Sequence, residues 1–131
     1  MTDIMPSNSR EVSLSFVEIL KEMNAEGGFT RTVLSTSEGL LIASAPVSSD
    51  NELASAMVAM LQQVSAETQD HLGLAPVDEV TIRTQEQSYL VCRTIPSGKD
   101  WVSLCALVPP GKSYRRATNR AVRKIQNKIE S

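Results

Sequence analysis

Every glycine and proline in this chain falls between segments of periodic hydrophobicity, and that punctuation limits how many elements it can hold. Pro6, Gly27, Gly28, Gly39, Pro46, Gly73, Pro76, Pro96, Gly98, Pro109, Pro110 and Gly111 separate eight runs, and none lies well inside one. With 131 residues there is room for one domain with a real core. Hydrophobic residues at 41% and charged residues at 21% give a globular balance, which excludes a disordered chain.

The first run, Asn8 to about Asn24, predicts a helix, because Val12, Phe16, Ile19, Leu20 and Met23 recur at three- and four-residue steps. Asn8 and Glu11 form a capping-box pattern, which leaves residues 1–8 as a flexible tail and residues 9–131 as the domain. Phe29–Ser35 and Leu40–Ala45 flank the turn cluster Thr36-Ser37-Glu38-Gly39 and read as a hairpin. Ser49-Asp50-Asn51-Glu52 opens a long helix that Gly73 stops. Pro76–Thr84, Gln87–Ile95 and Trp101–Val108 read as strands, and Ser113 is placed to cap a final helix. The expected fold class is α+β, with a five-stranded antiparallel sheet between helical layers and the order helix, two strands, helix, three strands, helix. A last hairpin centred on Gly98-Lys99 puts Val91, Ile95, Val102, Leu104, Ala106 and Val108 on one face. Leu90, Cys92, Cys105 and Leu107 then lie on the other, so both faces need cover.

The middle helix carries fourteen consecutive uncharged residues, Leu53 to Ala66. Leu53, Met57, Met60, Leu61 and Val64 form its broad apolar stripe, expected to pack on the sheet. The opposite side shows Ser55, Ala59, Gln62, Gln63, Ala66 and Gln69, small and neutral where a solvated face normally shows Lys, Glu and Arg. That side is expected to be the self-association surface of a two-fold dimer.

Charge is unevenly spread. Residues 1–111 carry six Lys/Arg against fourteen Asp/Glu, whereas residues 112–131 carry seven against one. On the final helix Tyr114, Ala117, Ala121, Val122, Ile125 and Ile129 share one side, and Arg116, Arg120, Arg123 and Lys124 project from the other. These four cations are the candidate partner-binding residues, suited to an acidic protein surface, a polyanion or an anionic membrane. No aromatic residue is interleaved with them to stack a base, so nucleic acid is not the expected partner.

Catalytic chemistry finds little support. Ala106 to Ser113 loosely matches a phosphate-binding loop ending in Gly-Lys-Ser, but Pro109 and Pro110 lack the N–H groups that such a loop aims at phosphate. His71 falls in the last turn of the middle helix, where the helix dipole alone accommodates it. No His, Asp or Glu cluster has metal-ligand spacing, and no cofactor or catalytic residue is expected. The N-terminus lacks a basic stretch followed by an apolar one, and the longest apolar run is far short of a membrane span. A cytoplasmic protein with two reduced cysteines is therefore expected, Cys92 and Cys105 facing each other across the last hairpin.

The stretch Gly28–Ala45, with its apolar strand, its turn ending in Gly39 and its Gly-Leu-Leu-Ile-Ala-Ser return, resembles the opening hairpin of Roadblock/dynein-light-chain-seven domains. The Ala54–Met60 helix core, the three strands and the basic final helix continue the resemblance over about residues 9–128. It implies a homodimer joined sheet edge to sheet edge along Val77–Thr84, bringing in Thr81 and Arg83, with the middle helices packed around Ser55, Ala59 and Gln62. It further implies an adaptor or regulator of a Ras-like small GTPase. Members of the gliding-motility type stimulate GTP hydrolysis by remodelling the GTPase and supply no arginine finger. The alternative from another class is a module that binds polyanions or anionic membranes through the basic helix.

Overall fold

A computed structural model describes residues 4–130, with side chains over residues 15–130. Eight elements run in the expected order: α1 (Ile4–Gly27), β1 (Arg31–Thr36), β2 (Leu41–Ala45), α2 (Asn51–Leu72), β3 (Glu79–Arg83), β4 (Tyr89–Ser97), β5 (Asp100–Val108) and α3 (Arg115–Glu130). The strands form one antiparallel sheet of order β2-β1-β5-β4-β3. β2 and β3 are its two edges, and α2 carries the chain from one to the other.

Element ends move by a few residues. α1 begins at Ile4, a turn before Asn8, so Ile4 to Asn8 continue the helix where a tail was expected. Pro6 lies in its first turn, where a missing N–H goes unnoticed. Asn8 and Glu11 are then interior and cannot form the capping box, while their side chains and that of Val12 fall outside the described set, as do residues 1–3 entirely. Asp50, one residue beyond Ser49, takes the N-cap position of α2, without a side-chain capping hydrogen bond. At α3 the Tyr114 carbonyl accepts the Thr118 N–H at 3.0 Å, so Tyr114 and not Ser113 is the cap.

The main core lies between the sheet and the α1/α3 layer. Phe16, Ile19, Leu20 and Met23 from α1 meet Ala117, Ala121 and Ile125 from α3 over Leu34, Val91, Ile95 and Leu104. The β4–β5 hairpin turns at Gly98-Lys99 with Ser97 opposite Asp100, so its inward face is the predicted one. The other face is thinly covered: Val58, Cys92 and Cys105 make up its buried apolar cluster.

The packing of α2 reverses the expectation. Ser55, Ala59 and Gln62, read as an outward dimer face, are buried against this chain's own sheet together with Asn51 and Val58. The apolar stripe read as inward faces out, with Leu53 67%, Met57 59%, Met60 66% and Val64 60% exposed. The reason lies in the sheet below. At this level β1, β5 and β4 present Ser35, Ser103 and Thr94 side by side, and Thr94 Oγ1 donates to Gln62 Oε1 at 3.2 Å. A polar row accepts a small polar helix face, and small side chains let the helix approach the β1–β2 turn closely.

Candidate functional site

Because the apolar stripe of α2 points outward, the helix and the uncovered part of the sheet form a continuous apolar surface. Between them runs a groove of about 390 Å³, walled by Met57 and Leu61 of α2 and by Ile82, Leu90 and Leu107 of β3, β4 and β5, with Val58 and Cys105 at its base. Arg31 supplies its polar end. The Arg31 Nε donates to Asn51 Oδ1 at 2.6 Å, and Asn51 Nδ2 donates to the Pro46 carbonyl at 2.9 Å, which ties the first turn of α2 to β1. An apolar groove beside an exposed stripe of Leu, Met and Val is the kind of surface that marks an interaction site.

β3 borders the groove as an edge strand of five residues. Val80 and Ile82 point to the α2 side, while Glu79, Thr81 and Arg83 point to the α3 side. Thr81 and Arg83 are exposed at the open edge. The other expected interface residues scatter. Ser55, Ala59 and Gln62 are buried, Gln69 is half-buried with its Oε1 accepting the Val77 N–H at 2.8 Å, and only Gln63 and Ala66 are exposed. The sequence reading missed Leu53, Met57, Met60, Val64, Ile82 and Leu107 as surface residues. Their hydrophobicity was visible, but a hydrophobic stripe is ordinarily assigned to the core.

The cations of α3 divide into two sets. Arg120 Nη1 donates to Glu26 Oε1 at 2.9 Å and Lys124 Nζ to Glu22 Oε2 at 2.8 Å, so both are engaged by acids of α1. The hydrogen bond from Lys124, with its charge, holds the Glu22 carboxyl below its ordinary value. Arg116 and Arg123 turn instead toward β4, where Arg93 Nη1 donates to Asn119 Oδ1 at 2.7 Å.

The remaining candidates lie apart from the groove or at its base. The strand ends at Val108, and the Lys112 stem lies over the α1–β1 turn, its Cε 3.0 Å from where a Gly28 Cβ would be. The His71 Nδ1 lies 2.8 Å from the Glu67 carbonyl within its own helix. Cys92 and Cys105 are paired across β4 and β5 and buried, and burial, reinforced by the neighbouring Cys92 thiol, raises the Cys105 thiol well above its ordinary value. The Asp100 carboxyl is held down by the Ser37 hydroxyl and the Trp101 N–H. Among the described residues no group of His, Cys, Asp and Glu could hold a metal ion, and no helix is long and apolar enough to cross a membrane.

The family model described as Roadblock/LC7 domain matches residues 16–96. Among solved structures, Myxococcus xanthus MglB superposes with a TM-score of 0.81 at 14% identity over 90% of each chain. The gliding protein MglB from Thermus thermophilus gives 0.76 at 18% identity over 91% of each chain. A Roadblock/LC7 domain from Streptomyces avermitilis gives 0.78 at 15% identity, over 88% of this chain and 98% of that one. No curated protein sequence matches the chain.

Proposed function

We infer the function from one premise: this chain belongs to the Roadblock/LC7 domain family. We propose that it is a homodimeric regulator of a Ras-like small GTPase, working by contact and without catalytic residues of its own. The observation that carries the first half is the outward apolar stripe of α2 beside the open β3 edge. Two copies related by a two-fold axis can extend the sheet through β3 and bury Leu53, Met57, Met60 and Val64 against each other. The proposed interface is thus the apolar side of α2 and the β3 edge with Thr81 and Arg83, and not the Ser55, Ala59, Gln62 side.

The GTPase rests on the family resemblance and on the likeness to MglB. In this reading a dimer presents a rigid surface that selects one nucleotide state of the GTPase and shifts its conformational equilibrium.

The test is the solution mass by light scattering, followed by binding to a small GTPase encoded beside this chain, loaded with GDP or with a non-hydrolysable GTP analogue. A dimer that binds one nucleotide state at least about tenfold better, a preference of roughly 1.4 kcal/mol, supports both halves. A monomer removes the dimer, and equal binding of both states, or none, removes the GTPase.

A further inference from the structure

Arg116 and Arg123 stand two helical turns apart with Asn119 between them, so the three share one face of α3. That face looks across a cleft of about 400 Å³ to Arg93 on β4, with Val122 forming part of its wall. Among the described residues none of the three arginines lies within salt-bridge distance of a carboxylate, unlike Arg120 and Lys124 one step around the helix. The nearest cross-strand acid, Glu79 opposite Arg93, is engaged elsewhere: its Oε2 accepts the Thr81 hydroxyl at 2.6 Å and the Tyr114 hydroxyl at 3.0 Å.

The polar groups of the cleft are donors. Asn119 spends its carbonyl oxygen on Arg93 Nη1, which leaves its amide N–H groups to offer, and that bond fixes the direction of the Arg93 fork. Among the described residues the Arg93 Nε has no hydrogen-bond partner, and it is shut away from solvent. Three guanidinium groups drawn from two elements, one oriented by the fold, make a local charge that a single carboxylate would leave uncompensated. A phosphate monoester carries close to two negative charges and three terminal oxygens, and guanidinium forks match it bidentately.

We propose that the α3–β4 cleft binds a phosphate monoester, either on a small soluble molecule or on a lipid headgroup. The site lies on the α3 side of the sheet, away from α2, so it stands independently of the proposed dimer face.

The experiment titrates ¹⁵N-labelled protein with inorganic phosphate and follows the Arg93 Nε and Asn119 amide resonances. In parallel, sedimentation is measured with phosphatidylcholine vesicles containing either phosphatidic acid, a phosphate monoester, or phosphatidylserine, a diester. Two variants of equal charge change are compared, Arg116→Gln with Arg123→Gln and Arg120→Gln with Lys124→Gln, after circular dichroism shows both folded. Saturable shifts at Arg93 and Asn119, weakened at least about tenfold by the first pair and less than about twofold by the second, bear the proposal out. Sedimentation with phosphatidic acid alone then identifies a headgroup, and phosphate binding without sedimentation identifies a small molecule. Shifts that do not saturate at low salt, or equal weakening by both pairs, would mean a diffuse basic surface and overturn it.

Discussion

A Cβ placed on Gly39 would lie 3.1 Å from the Cα of Ala56 and 3.4 Å from the Cβ of Ala59, so the β1–β2 turn and α2 meet almost backbone to backbone. That contact and the polar row beneath it decide which side of α2 faces inward. They also show how a helix can bury Ser and Gln while Leu and Met stay outside.

Gly39→Ala should therefore destabilise the protein twice over. The residue sits at φ +93, where an L side chain is strained, and the new methyl would push on the α2 backbone. A loss of about 1–3 kcal/mol is expected from the backbone alone, with more if the helix must retreat. Urea denaturation measures it, and an unchanged midpoint would mean that the contact is looser than described.

Neighbouring arginine substitutions on α2 should separate folding from association. Ala59 is 3% exposed, so Ala59→Arg buries a charge without a partner and should cost more than about 4 kcal/mol. Met60→Arg points into solvent in one chain and should leave the melting curve of the folded monomer intact while abolishing the dimer. Light scattering with circular dichroism reads both. If Met60→Arg stays dimeric, the interface lies elsewhere.

Much of this was legible beforehand, and α2 shows where legibility stops. The Gly98-Lys99 turn fixes the β4–β5 register, and period-two alternation then assigns Val91, Ile95 and Leu104 to one side and Cys92 and Cys105 to the other. The amphipathic α3 was equally readable, since Ala117, Ala121 and Ile125 can only face inward. For α2 the helical period separates two stripes but does not say which meets the sheet. The answer depends on Ser35, Ser103 and Thr94, three residues on strands that are brought into one row only by tertiary pairing. The division of the α3 cations had the same origin. Glu22, Glu26 and Arg93 lie far from them in sequence, so no local pattern could sort Arg120 from Arg123.

The polar row offers a test of its own. Among the described residues the Ser103 hydroxyl is buried without a hydrogen-bond partner, as are those of Ser35 and Ser55. Ser103→Ala removes a group whose burial costs about 1–3 kcal/mol when unsatisfied, so the variant should melt at or above the parent temperature. A clear drop would show that the hydroxyl is bonded in solution.

The α1–α3 pairs predict a specific acid response. Lys124 holds Glu22 below its ordinary carboxylate value, so the folded protein takes up this proton less readily than the unfolded chain. The contribution is fully present above the ordinary carboxylate range and is lost as the pH falls through the lowered folded value. Both side chains are substantially exposed, so the effect on stability is small and fades with salt. NMR titration of the Glu22 carboxyl should show its pKa rising to the ordinary value in Lys124→Gln. If it does not move, another group sets the shift.

The same two ion pairs join residues 94 and 102 positions apart in the chain. During synthesis α1 leaves the ribosome well before α3, and Phe16, Ile19 and Leu20 can meet the β1–β2 hairpin but not Ala121 or Ile125. The nascent chain thus keeps one flank of α1 uncovered throughout the synthesis of the five strands and α2. The final sixteen-residue helix completes the layer only when it arrives.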